Sequence, residues 1–145
     1  MKFDHIGLFV RDLDEGRERL ASLLPIHSWT VPVDDPLIKV RIQFGLDKSG
    51  IRYELVAPFG DGNPVERSLA AGVNILNHVA YLASDIDAEL RRLRRQRCVP
   101  TSAPRPAAAF GGRRVVFLLT PMGFILELVE ESATTALTQD GRSNK

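Results

Sequence analysis

The chain opens on an apolar run at residues 3–10, broken by Asp4 and His5, and the run stops at Asp12, with Glu15 three positions on. That order predicts a strand followed by a helix with an N-cap and a capping-box glutamate. Leu13, Leu20, Leu23 and Leu24 recur at helical spacing and cover one face. Strand-like runs follow at 28–31, 37–44 and 51–57, with residues 47–50 as the turn before the last of them. Asn63, Pro64, Glu66 and Gly72 then mark the cap, the first and third positions and the end of a short connecting helix.

From Leu76 the pattern starts again. A strand leads to Asp85 as a cap, and Ile86, Leu90 and Leu93 stand at i, i+4 and i+7 with arginines between them. A short strand is expected near 98–101, and longer ones at 113–119 and 124–130 around the turn Pro121-Met122-Gly123. His5 and His78 are separated by 73 positions, and so are Glu54 and Glu127. One offset for both pairs makes two copies of a β-α-β-β-β module the simplest account. The expected organisation is a first module over 1–62, a helical connector over 63–74, a second module over 75–131 and a frayed tail over 132–145. The fold class is therefore α+β.

Alternation along a strand sets which residues share a face. His5 lies with Gly7 and Phe9, and His78 with Ala80 and Leu82, so small residues beside each imidazole leave space. Glu54 lies with Arg52 and Val56. Glu127 lies with Ile125 and Val129, opposite the plainly apolar Phe124, Leu126 and Leu128. A carboxylate buried without a partner in such a strand is costly, so Glu127 needs a counter-charge or a polar cavity. Two imidazoles and two carboxylates, one of each per module, suit a single divalent ion: Zn, Co, Ni, Mn or Fe. His5, Glu54, His78 and Glu127 are the expected ligands.

Composition narrows the picture. With 145 residues, 44% apolar and 26% charged, the chain fits one ordinary soluble domain. A net charge of +1 gives no electrostatic case for nucleic acid, and the arginines between Arg91 and Arg97 fall on the polar side of a helix, as a solvated face does. Cys98 has no second cysteine to pair with. No apolar stretch approaches the ~20 residues that span a bilayer, and none reads as a signal segment. A cytoplasmic protein that does not enter membranes is expected.

The openings HIGLFV and HVAYLASDID and the closing ILELVE resemble the vicinal oxygen chelate superfamily of glyoxalases, bleomycin-resistance proteins and extradiol dioxygenases, over about residues 3–130. The resemblance implies two tandem modules in a curled mixed sheet whose central cup holds the metal. Within the superfamily, ELVAPFGDGNPVERSLAAG and PRPAAAFGGRRVVFLLTPMGFILELVE resemble the methylmalonyl-CoA epimerase-like branch. That implies an isomerase or lyase acting on an acyl-CoA or similar thioester or carboxylate through a metal-stabilised enolate, with Glu127 or Glu54 exchanging the proton. A lactoylglutathione lyase-like reaction belongs to the same chemistry.

A second base of the epimerases aligns at Leu37, which carries no proton. Asp34, Asp35 and Lys39 are the substitutes within reach in sequence.

Candidate substrate contacts are Phe110, Arg113 and Arg114, where glycines 111 and 112 let backbone close over an anion, and Lys39 on a strand of the first module. The alternative for the arginines is an exposed hairpin entry. Two other functions remain in view. A non-catalytic small-molecule binding protein of the resistance type typically lacks the full ligand set, and an extradiol dioxygenase uses two His and one Glu, which Glu54 exceeds. A homodimer acting on a small molecule is the expected assembly.

Overall fold

In a computed structural model, which describes residues 1–72 and 75–132, the caps read from the sequence start the helices. The Asp12 carboxylate accepts from the Glu15 N–H at 3.0 Å and opens α1, Leu13–Leu23. Asn63 accepts from the Glu66 N–H at 2.9 Å and opens α2, Pro64–Ala71, which ends on Gly72 in the left-handed conformation. Asp85 accepts from the Ala88 N–H at 2.9 Å and opens α3, Ile86–Arg95. Glu15 pairs with Arg19 at 3.4 Å instead of reaching back to complete a capping box. Apart from Ser132, the tail expected over 132–145 lies outside the described residues.

Among the described residues, ten strands accompany the helices: β1 Lys2–Phe9, β2 Ile26–Trp29, β3 Val33–Asp35, β4 Val40–Asp47, β5 Arg52–Pro58, β6 Leu76–Ala83, β7 Val99–Pro100, β8 Arg105–Pro106, β9 Arg114–Leu119 and β10 Ile125–Glu130. The fold is α+β with a mixed sheet: β1 and β5 run parallel, whereas β4–β5 and β9–β10 are antiparallel hairpins.

The chain forms two compact units, Asp4–Val79 and Met1–Phe3 with Ala80–Lys145. In the first, the strand order is β2-β4-β5-β1-β6, with β3 beside β4. Here α1 covers the sheet: Leu13 and Leu20 pack on Leu55 and Ala57, and Leu8, Val10 and Trp29 close around them. In the second unit the order is β6-β10-β9-β7, with β8 beside β9. Ile86, Leu90 and Leu93 of α3 pack on Val116, Leu118, Leu126 and Leu128, with the lone Cys98 buried among them. Each helix thus buries one sheet face, and the alternation of β5 and β10 turns Glu54 and Glu127 to the other.

Three readings of the pattern need correction. Residues 37–39 belong to a turn, not to a strand, because the Asp35 carboxylate accepts from the N–H groups of Leu37 and Ile38 at 3.0 and 3.3 Å and bends the chain there. Leu37 is 63% exposed on that turn, and Lys39 adopts φ 56. The strand then runs on to Asp47. The strand placed at 28–31 begins two residues earlier, at Ile26, and leaves Val31 exposed. Each module also carries an extra short strand, β3 and β8, which hydrogen-bond to β4 and β9.

Candidate metal centre

Register brings three of the expected ligands together in the unit Asp4–Val79. Gly7 of β1 pairs with Glu54 of β5, so His5, two residues earlier on β1, shares the face that Glu54 occupies. His78 arrives from β6. Its ring lies directly over Gly7, where a Cβ atom would stand 2.0 Å from Cε1. His5 Nε2 lies 3.2 Å from His78 Nε2 and 3.2 Å from Glu54 Oε2, and His78 Nε2 lies 3.0 Å from the same oxygen. All three side chains are buried.

The other ring nitrogens fix which atoms converge. His5 Nδ1 donates to Asp4 Oδ2 at 2.7 Å, and His78 Nδ1 donates to the side-chain carbonyl of Asn77 at 2.8 Å. An imidazole that is neutral and held in this way presents its Nε2 lone pair to the centre. Two nitrogen lone pairs and a carboxylate oxygen about 3 Å apart repel one another unless positive charge sits among them. Donor atoms bound about 2 Å from a zinc-like ion are themselves about 3 Å apart, so the spacing and chemistry of the set fit a divalent cation. Protons on the imidazoles offer the other way to supply that charge.

Glu54 responds to this environment. With the ion absent and protons on both imidazoles, burial pushes its carboxyl up, but the charge on His5, the hydrogen bonds from His5 and His78 and the charge on His78 outweigh burial and leave it at about 2. The sign of the resulting pH dependence is set by this depression. Stability from Glu54 is fully present above its ordinary value of 4.5 and is lost as pH falls toward 2. Chelator-treated protein should therefore lose urea resistance through that window, and Glu54→Gln should flatten the loss. An equally steep acid limb in the variant would show that Glu54 is not the group responsible.

Glu127 is carried by β10 in the other unit, where it is 2% exposed and stands opposite Phe117 of β9. The candidate substrate contacts have these intramolecular partners. Arg113 donates to the backbone carbonyls of Phe110 and Glu130, both at 3.0 Å. Arg114 holds the Glu130 carboxylate at 2.7 Å and Asp87 at 3.1 Å, which raises its own pKa and lowers that of Glu130. Phe110 is buried at the end of the one-turn 3-10 helix Ala108–Phe110. Lys39 donates to the Asp61 carbonyl at 3.1 Å.

Sequence reading missed Asp4 and Asn77 as partners of the two imidazoles. The signal was present, since they occupy matching positions in the two copies, one residue before each histidine. It also missed Phe44, whose ring meets His5 edge-on at 5.4 Å, and Arg52, whose guanidinium lies over Phe44 at 4.4 Å. Those two partnerships depend on strand register, which no local pattern encodes.

A model of the Glyoxalase/Bleomycin resistance protein/Dioxygenase superfamily matches residues 4–117. Among solved structures, methylmalonyl-CoA epimerase from Mycobacterium tuberculosis is similar at 26% identity over 94% of this chain and 91% of its own, with a TM-score of 0.75. A Streptomyces coelicolor methylmalonyl-CoA epimerase variant in complex with 2-nitronate-propionyl-CoA shares the fold at 23% identity, over 92% and 99% of the chains, with a TM-score of 0.74. A hypothetical protein from Bacillus halodurans does so at 20% identity, over 99% and 98%, with a TM-score of 0.77. No curated protein matches the sequence. Among the described residues, no helix is long and apolar enough to cross a membrane. With the family model matching well over half of its length, this chain belongs to the glyoxalase/bleomycin resistance protein/dioxygenase superfamily.

Proposed function

We propose that the protein is a metal-dependent enzyme that binds one divalent ion through His5, Glu54, His78 and Glu127 and moves a proton at the carbon next to a thioester or carboxylate carbonyl. The observation that carries this reading is the convergence of His5 Nε2, His78 Nε2 and Glu54 Oε2 at 3.0–3.2 Å, with both Nδ1 atoms anchored behind them. Glu127 enters as fourth ligand on the 73-residue repeat that relates it to Glu54, and on its burial in an apolar strand. The likeness to methylmalonyl-CoA epimerases supports an acyl-CoA or related substrate.

When bound, a divalent ion supplies Lewis-acid polarisation of the substrate's oxygens. The protein's own residues divide the rest. Glu54 lies against both imidazoles at 3.0 and 3.2 Å, which leaves Glu127 to take and return the proton. The position expected for a second base holds Leu37, exposed on its turn. Its neighbours do not replace it: Asp34 is held by Arg41 at 2.6 Å and well below its usual range, Asp35 shapes the turn, and Lys39 is on Asp61. One-base chemistry, in which a single carboxylate takes the proton from one carbon and delivers it to the neighbouring one, therefore fits this chain better than a two-base racemisation.

Protein purified without chelators should contain one ion per chain by elemental analysis. Given a panel of acyl-CoA thioesters and glutathione hemithioacetals in deuterated water, the loaded protein should place deuterium at the exchangeable carbon, and Glu127→Gln should abolish it. Absence of stoichiometric metal together with absence of exchange would return the chain to the non-catalytic, ligand-binding members of the superfamily.

A further inference from the structure

The two imidazoles are backed by different chemistry. Asp4, behind His5, is an acid, whereas Asn77, at the same place in the second copy, is a neutral amide. The Asp4 carboxylate is itself held in place. Arg52 Nη1 stands 3.6 Å from its other oxygen, Oδ1, and the same guanidinium is stacked on Phe44, whose ring edge meets His5. Arg52, Asp4, His5 and Phe44 thus form a closed loop of contacts around one ligand. Behind His78, the partner of Nδ1 is the Asn77 amide.

A hydrogen bond from an imidazole N–H to a carboxylate is charge-assisted, roughly twice as strong as one to a neutral carbonyl, and it moves electron density toward the opposite nitrogen. We propose that Asp4 and Asn77 are positioning residues that make the two histidines unequal donors. Asp4, steadied by Arg52, makes His5 the stronger ligand and sets how tightly the ion is held. Asn77 orients His78 without adding charge, so the centre keeps more of its Lewis acidity than two acid-backed histidines would leave it. This rests on the metal-centre reading above.

The test is zinc and cobalt affinity, by competition with a chromophoric chelator, together with the visible absorption of the cobalt form. Asp4→Asn should weaken zinc about 10- to 100-fold, the usual range for losing such a partner. Asn77→Asp should tighten it by about 10-fold. The double exchange, Asp4→Asn with Asn77→Asp, should return affinity to within a few-fold of wild type. Asp4→Glu keeps the charge but moves the carboxylate by one methylene, and it should weaken zinc nearly as much as Asp4→Asn.

Nitrogen-15 spectra of the metal-free protein give an independent readout. His5 should carry its proton on Nδ1 in the wild type and lose that preference in Asp4→Asn, which a merely destabilised fold would not produce.

A wild type that takes up no ion overturns the metal reading and this inference with it. A wild type that binds normally while Asp4→Asn stays within twofold overturns this inference alone, and so does an Asp4→Glu protein indistinguishable from wild type, which would reduce the effect to charge. If Asp4→Asn does not fold, Asn77→Asp still decides the matter: unchanged or weaker binding there overturns the proposal.

Discussion

Replacing Gly7 with alanine is expected to cost more than about 100-fold in metal affinity while leaving most of the fold standing, because the added methyl occupies the place of the His78 ring. The new Cβ would lie 2.0, 2.3 and 2.4 Å from Cε1, Nε2 and Nδ1 of that ring, far inside van der Waals contact. Something has to move. The ring cannot turn aside without giving up the Asn77 hydrogen bond at Nδ1, worth about 1 kcal/mol, and its place beside Glu54 at Nε2. The backbone cannot yield easily either, since β1 is locked into β5 through the pairs Ile6–Tyr53, Gly7–Glu54 and Leu8–Leu55.

Overpacking of this kind costs about 1–3 kcal/mol, a loss that a folded domain survives. The ion, however, loses a ligand, which costs more than the 10- to 100-fold of losing a supporting partner. Calorimetric titration of zinc alongside a thermal melt separates the two effects. A Gly7→Ala protein that binds as wild type would mean that His78 is not a ligand.

Gly7 also shows how far the sequence could be read. Parity along the strand places a small residue beside each histidine, Gly7 and Ala80, and the 73-residue offset pairs His5 with His78 and Glu54 with Glu127 from the sequence alone. Parity works because both copies sit on regular strands buried on one face, where a slip of one residue would turn every side chain over. It fails where the chain leaves the strand. The apolar residues at 37 and 38 extend the pattern of β4 backwards, yet Asp35 caps a turn there and leaves Leu37 in water. β3 and β8 span three and two residues, too few for any period to register. Arg113 and Arg114 look like anchors for an anion when read locally. Their partners, Glu130 and Asp87, are 17, 16 and 27 residues away, and only the β9–β10 register and the packing of α3 bring them within reach.

Saturating the metal-free protein with its ion should raise the melting temperature by roughly 10 °C. The metal-free centre keeps two imidazoles and a carboxylate in contact away from water, an arrangement the unfolded chain is spared. An ion that binds only the folded state adds about 4 kcal/mol when present at a thousand times its dissociation constant. For a chain of this length, each kcal/mol moves the midpoint by about 2–4 °C. His5→Ala removes a ligand and should shrink the rise to about 3 °C or less.

Leu55→Ala supplies the contrast. Leu55 neighbours Glu54 in sequence but points to the α1 side, where it is 1% exposed. Truncating it should cost about 2–5 kcal/mol with and without metal alike, lowering both midpoints and leaving their separation intact. Glu54 and Leu55 would then divide cleanly between the two faces of one strand, the first governing the response to metal and the second the stability beneath it. If saturating zinc, cobalt, nickel, manganese and iron each left the wild-type midpoint where it was, the convergence of His5, Glu54 and His78 would have to be explained by shared protons, with Leu55→Ala shifting the same single transition.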